Sequence, residues 1–155
     1  MKRNLIIGSI FLVFSIFVIA SCNENGCSKA LISSFHSHES EKMKDNCMDC
    51  HSPNGTAGGC LRIGGTAFDS IPGDNATQNA VVKLYTQPLG GGELVVTLQV
   101  DRNGNFFTTE PVNFGSGLYA AIVSGQGAVR YMPTPTTNGS CNSCHGPINA
   151  KLWAD

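Results

Sequence analysis

Residues 98–109 read LQVDRNGNFFTT, two strand-like runs on either side of Asp101-Arg102-Asn103-Gly104. Asn-Gly between such runs is a strong short-range hairpin signal, because a tight reversal needs positive φ angles and these two residues take them at least cost. The stretch therefore predicts a β-hairpin. Outward from it, LVVTLQV (94–100) and NFFTT (105–109) are the hairpin strands. LRIGGTAF (61–68), AVVKLY (80–85), LYAAIV (118–123) and AVRYM (128–132) repeat their character. All are short, β-branched or aromatic, and bounded by turn residues about ten residues apart. PLGGGE (88–93) marks a second turn. The glycines read as turn residues, since no strand–glycine–helix pattern follows that would cradle a phosphate. The series predicts a mainly β chain: an antiparallel β-sandwich of six to seven strands over 61–132, with loops or short helices at both chain ends.

Those ends carry a repeated motif. NCMDCH (46–51) precedes the strands and SCNSCH (140–145) follows them, so Cys-x-x-Cys-His occurs twice. With 7 Cys and 4 His in 155 residues, one such match is expected roughly 0.01 times by chance. Two thiols at this spacing can each add to one vinyl group of a haem, and the adjacent His then faces the iron. The competing chemistries are a zinc site built from both cysteine pairs, a redox-active dithiol, or two disulfides. Zinc would use the four cysteines and leave both adjacent histidines unexplained. A dithiol oxidoreductase needs one motif, placed where a helix starts after a strand. Haem attachment uses all six residues. It makes Cys47, Cys50, Cys141 and Cys144 the thioether positions, and His51 and His145 the proximal iron ligands of two covalently bound haem c groups.

Export is the compartment this chemistry requires. Lys2 and Arg3 are followed by an apolar run from Leu5 to Ala20, short of the roughly twenty residues of a spanning helix and suited to an export signal. Ile19-Ala20-Ser21-Cys22 has the form of a bacterial lipobox, which makes Cys22 the lipidation site and 1–21 the signal peptide. The expected product is an exported lipoprotein anchored by its lipid, on the periplasmic or cell-surface side. Asn23, rather than Asp, follows Cys22 and leans towards an outer membrane. Removing Lys2 and Arg3 leaves 8 basic against 11 acidic residues, a net charge of −3. No basic stripe exists for nucleic acid. Cys27 and Cys60 are the two cysteines left over, and an exported chain usually oxidises such a pair.

The mature chain then divides into a tether (22–35), a first haem-binding segment (36–60), the sandwich (61–132) and a second haem-binding segment (133–155). Glu39 to Asn46 is expected to form a short helical turn leading into Cys47. His36 and His38 are the remaining imidazoles and the first candidates for distal ligands; Met43 and Met132 are the alternatives, which would raise the potential. Met48, inside its own motif, is excluded by geometry. Trp153 could shield a haem edge or simply pack. Six antiparallel strands return the chain to the end where it began, so Cys50 and Cys141 are expected at one end of the sandwich. The linkers 52–60 and 133–140 are expected to be free to extend.

The β region, LRIGGTAFD, AVVKLY, LVVTLQVDRNGNF and GLYAAIVSG in that order, resembles the carboxypeptidase-regulatory-like (prealbumin-like) sandwich repeat over about seventy residues. Gln99-Val100 stands where that family usually has Thr before the Asp. The mature chain as a whole resembles small exported c-type cytochromes with such a sandwich between two haem motifs. That resemblance implies electron transfer between exported redox proteins. No catalytic constellation is legible, so a carrier rather than an enzyme is expected. Two alternatives remain: a surface binding or structural module in which haem is secondary, and a haem sensor or peroxidase with an open coordination position.

Overall fold

The computed structural model describes residues 27–37, 44–71, 73–146 and 150–154. The signal segment, Cys22, His38 and Met43 lie outside these residues. Among the described residues the chain is mainly β. It has eight strands, β1 (Ile63–Phe68), β2 (Val81–Tyr85), β3 (Leu94–Gln99), β4 (Asn105–Thr108), β5 (Tyr119–Val123), β6 (Val129–Tyr131), β7 (Gly139–Ser140) and β8 (Leu152–Trp153). A one-turn helix α1 (Cys47–Cys50) precedes them. The six strands read from the sequence are β1 to β6; β7 and β8 are two-residue additions from the second motif segment.

The strands form two sheets. One has the order β4-β1-β7, with β8 also paired to β1; the other has the order β3-β2-β5-β6. Inward side chains of both sheets make one core, with Ile63, Ala67 and Phe106 from the first meeting Val82, Leu84, Leu98 and Ile122 from the second. Each of these Ile, Val, Leu and Phe side chains contributes about 1.5–3 kcal/mol by leaving water. β2 shows the period-2 burial of a strand with one covered face, whereas all six residues of β1 are buried. Something beyond the opposite sheet must therefore cover the outer face of β1.

The stretch 98–109 is a tight turn, but it does not make a hairpin. β3 pairs with β2 and β4 pairs with β1, so the turn carries the chain from one sheet to the other. Gly104 takes the positive φ (+80°) and Asn103 does not. The corner is closed by Asp101, which is fully buried. Its Oδ1 accepts from the N–H groups of Asn103 (2.9 Å) and Asn105 (2.8 Å). The N–H of Ala67 donates to Gly104 O at 2.7 Å, and a Cβ at Gly104 would fall 2.7 Å from Ala67 O. That close approach captures β4 for β1 and the opposite sheet. The true hairpins join β5 to β6 and β2 to β3, the latter through PLGGGE, where Thr86 N–H donates to Glu93 O and Glu93 N–H returns to Thr86 Oγ.

Residues 27–37, ahead of α1, are anchored. Cys27 and Cys60 form a disulfide, Ile32 bridges to Thr108 on β4, and Leu31 O accepts from Thr109 N–H while Leu31 N–H donates to Thr109 Oγ. The helical turn expected over Glu39–Asn46 is not what the described part shows. Lys44 has a positive φ (+72°), and the helix begins only after Asn46, whose side chain caps it.

Candidate functional site

β1 contributes two consecutive glycines, Gly64 and Gly65, whose would-be side chains point to opposite faces of the sheet. A Cβ at Gly64 would fall 2.9 Å from Cys47 Cβ, and one at Gly65 would fall 2.8 Å from Cys141 Cβ and against Cζ and Cε1 of Phe106. The first cysteine of each motif is thus seated on one of these glycines. Adjacent Cα atoms are about 3.8 Å apart, so the two Cys Cβ atoms lie at most about 13 Å from each other. The motifs, 94 residues apart in sequence, meet across a single strand.

The six strands β1 to β6 return the chain to the end where β1 begins, as the strand count leads one to expect. β7 then runs parallel to β1, with Ile63 opposite Gly139 and Gly64 opposite Ser140, and so delivers Cys141 beside Gly65. The linker 52–60 is folded back rather than free, since Ala57 N–H donates to Cys50 O and Leu61 N–H to His51 O.

Side chains lock the two segments together. Ser140 Oγ donates to Asn46 Oδ1 at 2.8 Å, joining the residues that immediately precede each motif. Asn142, fully buried inside the second motif, accepts from Thr66 N–H (2.9 Å) and donates to Asp45 O (2.9 Å) and Thr66 Oγ (3.0 Å). The Thr66 hydroxyl donates to Asn105 Oδ1 and also accepts from Lys44 N–H, which uses its one donor and both acceptor positions. At the surface, Asp74 pairs with Lys44 and Lys151, residues that flank the two motifs. None of these ties was legible from the motifs themselves.

The motifs have the same internal geometry. In each, the His N–H donates to the carbonyl of the first Cys at 2.9 Å. In each, the imidazole Nδ1 is held by backbone carbonyls: Gly58 O (3.0 Å) and Gly59 O (3.2 Å) for His51, and Ala150 O (2.9 Å) for His145. A carbonyl only accepts, so Nδ1 carries the proton and Nε2 keeps its lone pair. That is how a metal-ligating imidazole is oriented and made more basic.

Each motif opens onto its own cavity. The first, about 500 Å³, lies on the outer face of the first sheet and is lined by Cys47, Cys50, His51, Leu61 and Phe107. The second, about 740 Å³, enters the edge of the sandwich between the sheets and is lined by Cys144, His145, Ile63, Ile122, Met132 and Trp153. Both volumes fall in the range of cofactor pockets, roughly 300–1,000 Å³. Trp153 is half-buried, with the Arg130 guanidinium 3.1 Å above its ring. His36 sits in an exposed turn and lines neither cavity.

The first thiol of each motif is not poised as a nucleophile. Burial pushes the Cys47 thiol up, and burial followed by the neighbouring Cys47 pushes Cys141 up to about 12. A dithiol oxidoreductase lowers its attacking thiol instead. Among the described residues no three His, Cys, Asp or Glu side chains converge as a metal cluster. No protein-family model, curated protein or solved structure matches the chain.

The residues present fit covalently attached haem at both motifs. Cys50 and Cys144 are exposed at the cavities, the first cysteines are seated against β1, and both Nε2 atoms remain available.

Proposed function

We propose that the chain is an exported dihaem c-type cytochrome lipoprotein that carries single electrons between exported redox proteins and is anchored through Cys22. The twin geometry supports this reading: two Cys-x-x-Cys-His motifs, each with its Nδ1 fixed by backbone and its own cavity, share one strand. When bound, haem supplies an iron that cycles between ferric and ferrous states. The chain's own part is to hold and orient. Cys47/Cys50 and Cys141/Cys144 would fix the two groups covalently, His51 and His145 would present Nε2, and the apolar cavity walls would restrict water. The Asn142–Thr66 network and the Ser140–Asn46 bond hold the two sites at a fixed separation, as direct exchange between them requires. The prealbumin-like sandwich acts as the scaffold. Among the described residues no helix is long and apolar enough to cross a membrane, and the proposed lipid at Cys22 would supply the attachment.

A reduced-minus-oxidised spectrum recorded with and without carbon monoxide tests this. Two c-type haems, both unresponsive to carbon monoxide, are expected, with His38 as the second ligand of the first iron. A carbon-monoxide-reactive haem would point to sensing or peroxide chemistry, and a spectrum without haem would leave a binding module.

A further inference from the structure

We propose that Met132 is the second axial ligand of the iron held by His145, so that only the second haem is thioether-ligated. This rests on the dihaem reading above. An axial pair must approach from opposite sides, and the second cavity offers such walls. His145 follows β7 on the edge of the first sheet, while Met132 follows β6 on the edge of the second.

Register fixes which way Met132 faces. Its N–H donates to Ala120 O at 2.8 Å, continuing the β5–β6 ladder in which Ala121 faces Tyr131 and Ile122 faces Arg130. Directly opposed residues share a face and alternate ones return to it. Met132 therefore shares the face of Ala120, Ile122 and Arg130. Ile122 belongs to the core, Ala120 packs against it, and Arg130 lies over Trp153. Tyr131 takes the other face, where its ring meets Gly90. The rival donor in the cavity wall, Lys151, directs its ammonium to Asp74 and Gly73 O.

The first cavity differs. Among the described residues its lining contains His51 but no methionine and no second imidazole. A Met/His pair would raise the potential of the second haem, and in the half-reduced protein the electron would then rest there. The ligation is a dative bond from the thioether lone pair, with no proton released.

The full exported protein is first weighed to count its haems, and its ferric form is then examined by near-infrared magnetic circular dichroism. The expected signal is the thioether-to-iron charge-transfer band for one haem of the two. It should be lost in Met132→Leu, a volume-conserving change that leaves the backbone bond intact, and kept in Met43→Leu. In a potentiometric titration the upper of two steps should fall towards the lower in Met132→His. Absence of the band from protein with haem at both motifs, its survival in Met132→Leu, or its loss in Met43→Leu would overturn the assignment while leaving the dihaem reading intact. A protein without haem at Cys141 and Cys144 would overturn both.

Discussion

Asn142 occupies the first variable position of the second motif, a place where haem attachment itself makes no demand, yet its side chain joins three backbone segments. Replacing it with Ala leaves the Thr66 N–H buried in β1 without an acceptor, at about 1–3 kcal/mol. It also removes the bonds to Asp45 O and Thr66 Oγ, worth about 1 kcal/mol each. Asp45 lies at the surface, so its carbonyl can turn to water. The total is about 3–5 kcal/mol, a large part of the roughly 5–15 kcal/mol that stabilises a domain. With a urea slope of about 2 kcal/mol/M, the unfolding midpoint followed by far-ultraviolet circular dichroism should fall by about 1.5–2.5 M. Ser143→Ala is the internal control. It removes the bond from Ser143 Oγ to Ser140 O at 2.6 Å and a long one to Cys144 Sγ at 3.8 Å, and should lower the midpoint by only about 0.5 M. If Asn142→Ala costs no more than Ser143→Ala, the buried network does not seat the motif and the reasoning fails.

Gly65→Ala should destabilise the sandwich by at least about 1–3 kcal/mol, because its Cβ meets the Phe106 ring and Cys141 in a filled site; haem retention at the second motif should fall more than at the first, as peptide mass mapping would show. Cys27→Ser opens a disulfide spanning 33 residues, and the chain-entropy relation gives a loss of about 4 kcal/mol, measurable as a lowered denaturation midpoint with haem content unchanged. Asp74 is held below its ordinary carboxylate range by hydrogen bonds from Lys151 and then Lys44. Its contribution is therefore complete above the unfolded value of about 3.9 and disappears as pH falls through the lower folded value. Nuclear magnetic resonance shifts of the Lys44 and Lys151 side chains should report that loss on acidification, and Asp74→Asn should abolish the step.

The strands were legible because their cue is local. β-branched and aromatic runs of strand length, set off by Gly, Asn and Pro, identify β1 to β6 whichever neighbours they pair with. The pairing was less legible. LQVDRNGNFFTT has the residues of a hairpin, but the buried Asp101 and the approach of Gly104 to Ala67 make it a corner between sheets. That outcome depends on β1, more than thirty residues earlier. β7 and β8 are two residues each, and Gly139-Ser140 has no strand propensity; parallel pairing to β1 alone makes it a strand. At the site, the motif residues announce themselves by spacing. Gly64-Gly65 carried a signal that was assigned to turns: glycines inside a strand pattern mark a close approach, here by the two cysteines. The positions of His36 and Met132 could not be ordered from sequence, because cavity lining is decided by how the two sheets meet.

The central claim, that both motifs carry covalently attached haem, is tested most directly by the mass of the exported chain after full denaturation. The account predicts the polypeptide plus two haem groups, with Cys47→Ser/Cys50→Ser and Cys141→Ser/Cys144→Ser each retaining one. A wild-type mass equal to the bare polypeptide with its lipid, obtained from a host that matures other c-type cytochromes, would contradict it.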